Sequence, residues 1–260
     1  MSDRMCSNIV GGETLQQSDK RIPKKKRRKK KIHKLPDRLI PVANPDKKFH
    51  EKWTHRRNKL NIPHPARILA VGPPGVGKSW ICGQMIIRSK PPFQELYVVH
   101  PDVGYTLEWE KLGATMLTEI PAPDQWEGKV KTMVVIDDLE IKQLPKEQAR
   151  ALDRLFGYCS THKNITVYLT TQNFSNVPAA VRRMTNFWIL WRIPDTDAMK
   201  ICSKKAGLKK DELTKIFDEN LPGFHDSLWI DRTKNSPYPL RKNGFAPLDS
   251  YDEMVPEDQL

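Results

Sequence analysis

Cysteine is scarce in this chain, and long apolar runs are missing. The 260 residues include four cysteines, Cys6, Cys82, Cys159 and Cys202. No two are spaced as a metal-ligand pair or a redox dithiol, which argues against a disulfide framework and fits a reducing compartment. The longest apolar candidate, Phe187–Trp191, is strand-sized and far too short to span a bilayer. The first twenty residues lack the apolar core of a secretory signal, so no membrane partner is expected. His33, His50, His55 and His64 do not form a metal-binding set, and a lone strand-end histidine such as His100 reads as structural or solvated. No N-K-x-D signature for reading guanine is present.

Acidic residues are absent from one region in particular. Residues 21–34, RIPKKKRRKKKIHK, carry ten lysines and arginines and no acid. The first sixty residues hold nineteen basic and six acidic side chains, and the other two hundred hold twenty-five of each. The formal charge of +13 therefore belongs to an N-terminal arm attached to a neutral body. From residue 248 onward the bases are missing instead, and five acids make a short acidic tail. Like-charge repulsion and a lack of apolar side chains keep the arm from packing by itself. Lys24, Lys25, Lys26, Arg27, Arg28, Lys29, Lys30 and Lys31 suit nucleic-acid phosphates, a nuclear-import signal or another acidic partner surface. Trp53, His55, Arg56 and Arg57 read either as a basic–aromatic patch or as a segment that docks Trp53 on the body.

Four segments follow: a basic arm and linker at 1–64, a core at 65–194, a smaller extension at 195–247 and the tail at 248–260. Within the core, apolar runs alternate with amphipathic stretches. Strands are expected at 67–72, 95–100, 131–138, 164–171 and 187–192. Helices are expected at 78–89, at 144–162 with Pro145 in the first helical position, and at 177–184. Residues 105–118 suggest a helix with Leu107, Leu112 and Leu117 inward. Beyond Pro194 come a helical pair and DSLWIDRT, read as an edge hairpin strand. Strands separated by helices of this size imply an α/β fold, a mostly parallel sheet covered on both faces. Trp188 and Trp191, three apart on one strand, should face opposite ways and pack.

The run Gly72, Pro73, Pro74, Gly75, Val76, Gly77, Lys78, Ser79 matches G-x-x-x-x-G-K-S at every fixed position. It lies between an expected strand and an expected helix, the setting in which glycines let successive backbone N–H groups converge on phosphate. Lys78 would reach the β- and γ-phosphates of ATP, and the Ser79 hydroxyl would ligate Mg²⁺. The apolar run Met133 to Ile136 ends in Asp137 and Asp138. Asp137 is placed to hold Mg²⁺, and Asp138 to activate water, or else to serve as a turn or cap residue. The strand ending Thr170, Thr171, Gln172, Asn173 offers Gln172 as a γ-phosphate sensor or as a simple strand terminator. A cation for the developing charge is expected from Arg182 or Arg183, then Arg192, then Arg150 and Arg154. This order of motifs suggests a motor-type sheet with the sensor strand between the loop strand and the acidic strand.

With these residues in view, ILAVGPPGVGKS, MVVIDDL and VYLTTQNFSNVPAAVRRMTNFWILW resemble the viral genome-packaging ATPases of the FtsK/HerA P-loop superfamily, most closely the poxvirus-type group. The resemblance covers roughly residues 66–193. It implies a RecA-like P-loop NTPase fold and the site roles just given. Family members often carry glutamate where Asp138 stands. It further implies a homo-oligomeric ring at a capsid or portal that moves double-stranded DNA with ATP, in a nucleus, a cytoplasmic viral factory or a virion. The alternatives are a helicase or replication-associated ATPase, and an ATP-dependent nucleic-acid-binding switch. A full helical lid after the sensor strand would favour a helicase, and residues 195–220 offer only two short helices.

Overall fold

The computed structural model describes residues 62–102, 107–233, 236, 238–244 and 246–248. The basic arm, the Trp53 segment and the acids of the tail lie outside the described residues. Among the described residues the body is built on one nine-stranded sheet. Its strands are β1 (Arg67–Val71), β2 (Glu95–Val99), β3 (Thr115–Leu117), β4 (Thr132–Ile136), β5 (Ile165–Thr171), β6 (Phe187–Trp191), β7 (Ser227–Asp231), β8 (Leu240–Lys242) and β9 (Ala246–Pro247). The spatial order is β3-β2-β4-β5-β1-β6-β7-β8-β9. The first six strands pair in parallel, and β6 to β9 pair antiparallel.

The helices are α1 (Lys78–Ile87), α2 (Leu107–Lys111), α3 (Lys146–Arg154), α4 (Ala179–Met184), α5 (Thr196–Ala206) and α6 (Lys210–Asn220). They explain why the central strands are apolar without alternation. Leu69 and Val71 of β1, with Val134 and Ile136 of β4, face a core that includes Leu152, Val181, Cys202 and Phe217 from α3 to α6. Ile68 and Ala70, with Met133 and Val135, face the other core, with Cys82 and Met85 of α1 and Trp109 of α2. A sheet covered on both faces needs apolar residues at every position. Each Leu or Ile so buried contributes roughly 1.5–3 kcal/mol over its exposed state. Trp188 joins the first core and Trp191 the second, as their spacing requires.

Four details differ from the sequence-based expectation. Pro145 is the residue before α3, which begins at Lys146. The helix widens into a π turn at Leu155–Cys159, burying Leu155, Phe156 and Cys159, before it ends at His162. Residues 105–118 divide into α2 and β3. Trp109 is the deeply buried anchor there, Leu112 and Leu117 pack half-buried, and the side chain of Leu107 lies outside those described. DSLWIDRT is no edge strand: β7 pairs with β6 on one side and β8 on the other, and all five of its residues are buried. The extra strands come from a Pro- and Asn-containing stretch with little apolar periodicity, so the signal for them was weak. Buried Arg241 on β8 places its guanidinium 5.4 Å from the Phe187 ring and 5.7 Å from Trp229, fastening β8 to the sheet.

Candidate active site

Strand register builds the site. β5 lies between β1 and β4, with Val71 opposite Thr171 and Ile136 opposite Leu169. Asp137, one residue past Ile136, is therefore level with Thr170. The phosphate loop leaves β1 beside the tip of β5, where the Gly72 N–H donates to the Thr171 carbonyl at 3.2 Å. One parallel-strand edge thus carries the loop, the acids and the polar tip.

The loop has little freedom in its sequence. A Cβ on Gly72 would stand 2.8 Å from the Trp191 Cβ, so only glycine lets the loop approach β6 this closely. Gly75 and Gly77 hold φ of 75° and 100°, the left-handed region that other residues enter at a cost, and space around both is open. α1 begins at the next residue, Lys78, directing its free N–H groups into the loop. The Lys78 ammonium donates to the carbonyls of Gly72 at 2.9 Å and Pro73 at 2.7 Å. Burial pulls its pKa below the usual lysine range, and Asp138 and Asp137 act against that pull.

Ser79, Asp137 and Thr170 form a short chain. Ser79 Oγ donates to Asp137 Oδ2 at 2.8 Å, and Thr170 Oγ1 donates to Asp137 Oδ1 at 2.8 Å. Both oxygens of this buried carboxylate are therefore engaged. Asp138 adopts φ 51°, a left-handed turn that aspartate tolerates better than most residues. Its N–H donates to Thr170 Oγ1 at 3.2 Å, and Gln172 Nε2 approaches its Oδ1 at 3.5 Å, the outer limit of a hydrogen bond. The turn thus separates the two acids, one buried against Ser79 and one exposed toward Gln172.

Sequence reasoning brought Lys78, Ser79, Asp137, Asp138 and Gln172 to one place, but it missed their supports. Tyr168 donates its hydroxyl to the Lys78 carbonyl at 2.9 Å, tying the start of α1 to β5. Full burial raises that phenol well above its ordinary pKa. Trp191 Nε1 donates to the His225 carbonyl at 3.2 Å, and His225 Nδ1 lies 3.3 Å from the Val76 carbonyl. Thr170 is the support with a sequence signal, a hydroxyl one residue before the strand tip.

The arginines stand apart from this group. Arg182 and Arg183 occupy the last turn of α4, three to four residues before Asn186, whose N–H bonds the Arg67 carbonyl where β1 starts. The chain just beyond α4 is therefore at the opposite edge of the sheet from the phosphate loop. The Arg182 guanidinium lies 4.9 Å over the Phe174 ring, and Arg183 is exposed. Arg192 follows the tip of β6 on the loop's own edge and pairs with Asp218 at 2.8 Å. That pair is half exposed and worth little to stability. Arg150 and Arg154 line an open groove of about 740 Å³ with Glu119, Ile120 and Gln148. His100 accepts from the Asp102 N–H at 3.0 Å in a turn beyond β2.

The strand order and the loop geometry define a RecA-like P-loop NTPase fold, with the polar-tipped strand between the loop strand and the acidic strand. Among solved structures, the chain is similar to the DNA-packaging ATPase B204 of Sulfolobus turreted icosahedral virus. Identity is 14%, the TM-score is 0.50, and the match covers 70% of this chain and 97% of that one. It is also similar to the genome packaging NTPase B204 of Sulfolobus turreted icosahedral virus 2 in complex with AMPPCP, at 16% identity and a TM-score of 0.50, covering 71% and 99%. At such identity the likeness speaks for the fold. No family model and no curated protein matches the chain.

Proposed function

We propose that this protein hydrolyses ATP and uses the turnover to move double-stranded DNA into a viral capsid. The observation that carries the hydrolytic part is Asp137, held by Ser79 of the phosphate loop on one oxygen and by Thr170 of the neighbouring strand on the other. The shared fold with packaging NTPases favours DNA packaging over other uses of such a site.

The backbone N–H groups of Gly75 to Ser79 would cradle the phosphates, and Lys78 would place its ammonium against the β- and γ-phosphates. Ser79 Oγ and Asp137 Oδ2 are hard oxygen donors too few for a full cage, which suits Mg²⁺, an ion that keeps water and substrate phosphate in its shell. Bound there, Mg²⁺ would neutralise charge growing on the phosphoryl oxygens. Asp138, exposed beyond the strand tip, would orient the attacking water and take its proton as the new O–P bond forms and ADP leaves. Gln172 would register the γ-phosphate. Arg182 or Arg183 would serve a neighbouring subunit in a ring, with Arg192, Arg150 and Arg154 as the next choices. The arm at Lys24 to Lys31 would grip DNA phosphates or deliver the protein to a nucleus.

The test is ATP turnover by the full-length protein, with and without long duplex DNA, followed together with oligomeric state. Duplex stimulation in a ring is expected. Stimulation by single strands alone would replace packaging with a helicase, and turnover indifferent to DNA would leave a nucleotide switch.

A further inference from the structure

Two aromatic side chains beside the phosphate loop are left in solvent. Trp80 is 68% exposed and Phe224 is 65% exposed, the two most exposed large apolar side chains among the described residues. Most of the other aromatics among the described residues are buried; Trp188, Trp191, Phe187 and Trp229, for example, are almost inaccessible. Each ring left in water forgoes burial that the rest of the fold takes.

Strand order determines which way a nucleotide must leave the loop. The acids lie on the β4 side of β1, across β5, so the terminal phosphate points that way. The nucleoside end must then extend in the opposite direction, over β6 and β7. The segment there is the connection between α6 and β7, residues 221–226, which contains Phe224. That connection is built to hold its position. His225 meets the loop at the Val76 carbonyl and is held by Trp191, as described above. The Gly223 N–H donates to Asp226 Oδ2 at 2.9 Å, and Asn243 Nδ2 donates to Asp226 Oδ1 at 2.7 Å. The Phe224 ring stands edge-on to His225, with centroids 5.0 Å apart. Trp80 is the third residue of α1, and a helix tilts its side chains toward its own N-terminus, which here is the loop.

We propose that Phe224, with Trp80 as a second wall, stacks the nucleobase of the bound nucleotide, gripping it by its flat face. This rests on the nucleotide-hydrolysing reading above and adds the part of the ligand beyond the phosphates. Stacking accepts any π-face, so the site takes adenine and guanine nucleotides with similar affinity.

Titration of the full-length protein in Mg²⁺ with AMPPCP, its guanine counterpart and inorganic tripolyphosphate tests this. Phe224→Ala should weaken both nucleotides roughly tenfold and leave tripolyphosphate unchanged, since stacking contributes about 1–3 kcal/mol per base. Trp80→Ala should show the same pattern, and Phe224→Tyr should bind as the wild type does. Equal losses for nucleotide and tripolyphosphate would reduce Phe224 to a loop support and overturn the proposal. Unchanged nucleotide binding would overturn it too, as would a hundredfold preference for one base in the wild type. A wild type that bound tripolyphosphate but gained nothing from the nucleoside would refute the stacking wall alone. Failure to bind any of the three would refute the hydrolase itself.

Discussion

β4 and β5 each carry buried polar groups at both ends, and the two ends are treated differently. At the carboxyl edge, Asp137 accepts from both Thr170 and Ser79, beside a loop open to solvent. At the amino edge, Lys131 and Thr166 belong to a closed cluster. His64 contacts Thr166 Oγ1 at 2.8 Å and Asn164 Oδ1 at 2.7 Å. Lys131 donates to Ser89 Oγ at 2.8 Å and the Pro91 carbonyl at 2.6 Å, with its ammonium 4.4 Å from the Phe93 ring. The space among these side chains is about 10 Å³, too small for a ligand. Burial drives both groups toward neutrality, His64 to about 4 and Lys131 to about 8, and the charge on Lys131 adds to the effect on His64. Buried polarity alone is thus no mark of a site. An adjoining open cradle distinguishes the working end of a strand from the end that only fastens it.

The largest expected effect would confirm or break that division at the carboxyl edge. Lys78→Ala should lower ATP turnover by about 10²–10³-fold or more, the scale seen when one charge-stabilising donor is removed, with little change in melting temperature. Asp138→Asn should retain nucleotide binding and lose turnover to a similar degree. Turnover near wild type in either variant would move the chemistry elsewhere.

The amino edge should respond to pH and not to nucleotide. The folded pKa of His64, about 4, lies below the ordinary 6.5, so the unfolded chain binds the extra proton first as pH falls. The contribution is complete above pH 6.5 and is lost as pH drops toward 4, by about 3 kcal/mol for a shift of this size. Denaturant unfolding of the wild type should show this decline, and His64→Gln should flatten it. An equally steep decline in the variant would assign the acid sensitivity to other groups.

Two threonines on one strand give the smallest and most direct comparison. Thr166→Val should cost about 1–3 kcal/mol of stability, because His64 and the Ala66 N–H lose a partner, while kcat stays near wild type. Thr170→Val should lower kcat about tenfold with a smaller rise in KM, since Asp137 and the Asp138 N–H lose their shared hydroxyl. If both variants lost stability alone, the two ends of β5 would be equivalent and the contrast would fail.

Much of this was legible because its signals are local. The loop spacing, the apolar run ending in two acids and the polar tip of β5 each occupy under ten residues, and the parallel sheet with Thr171 and Asp137 at one edge follows from their order. The supports other than Thr170 were not legible. Trp191, His225 and Val76 meet across 149 residues of chain through backbone carbonyls, which leave no trace in residue type. The amino-edge cluster joins His64 to Asn164 and Thr166 over a hundred residues, and its histidine read as one of a scattered set. Asp138 was readable as a turn or cap residue, but its left-handed backbone was not, for another reason. Aspartate enters that region without the glycine that usually announces it.

The limits of the sheet have a consequence for assembly. Among the described residues it begins with three-residue β3 and finishes with two-residue β9. Strand ends this short offer few free backbone donors and acceptors to another chain. If copies assemble around a duplex as proposed, they would therefore be joined by their side chains. In such a ring each copy could tilt or slide against its neighbour through the proposed ATP cycle, without unzipping a shared backbone seam.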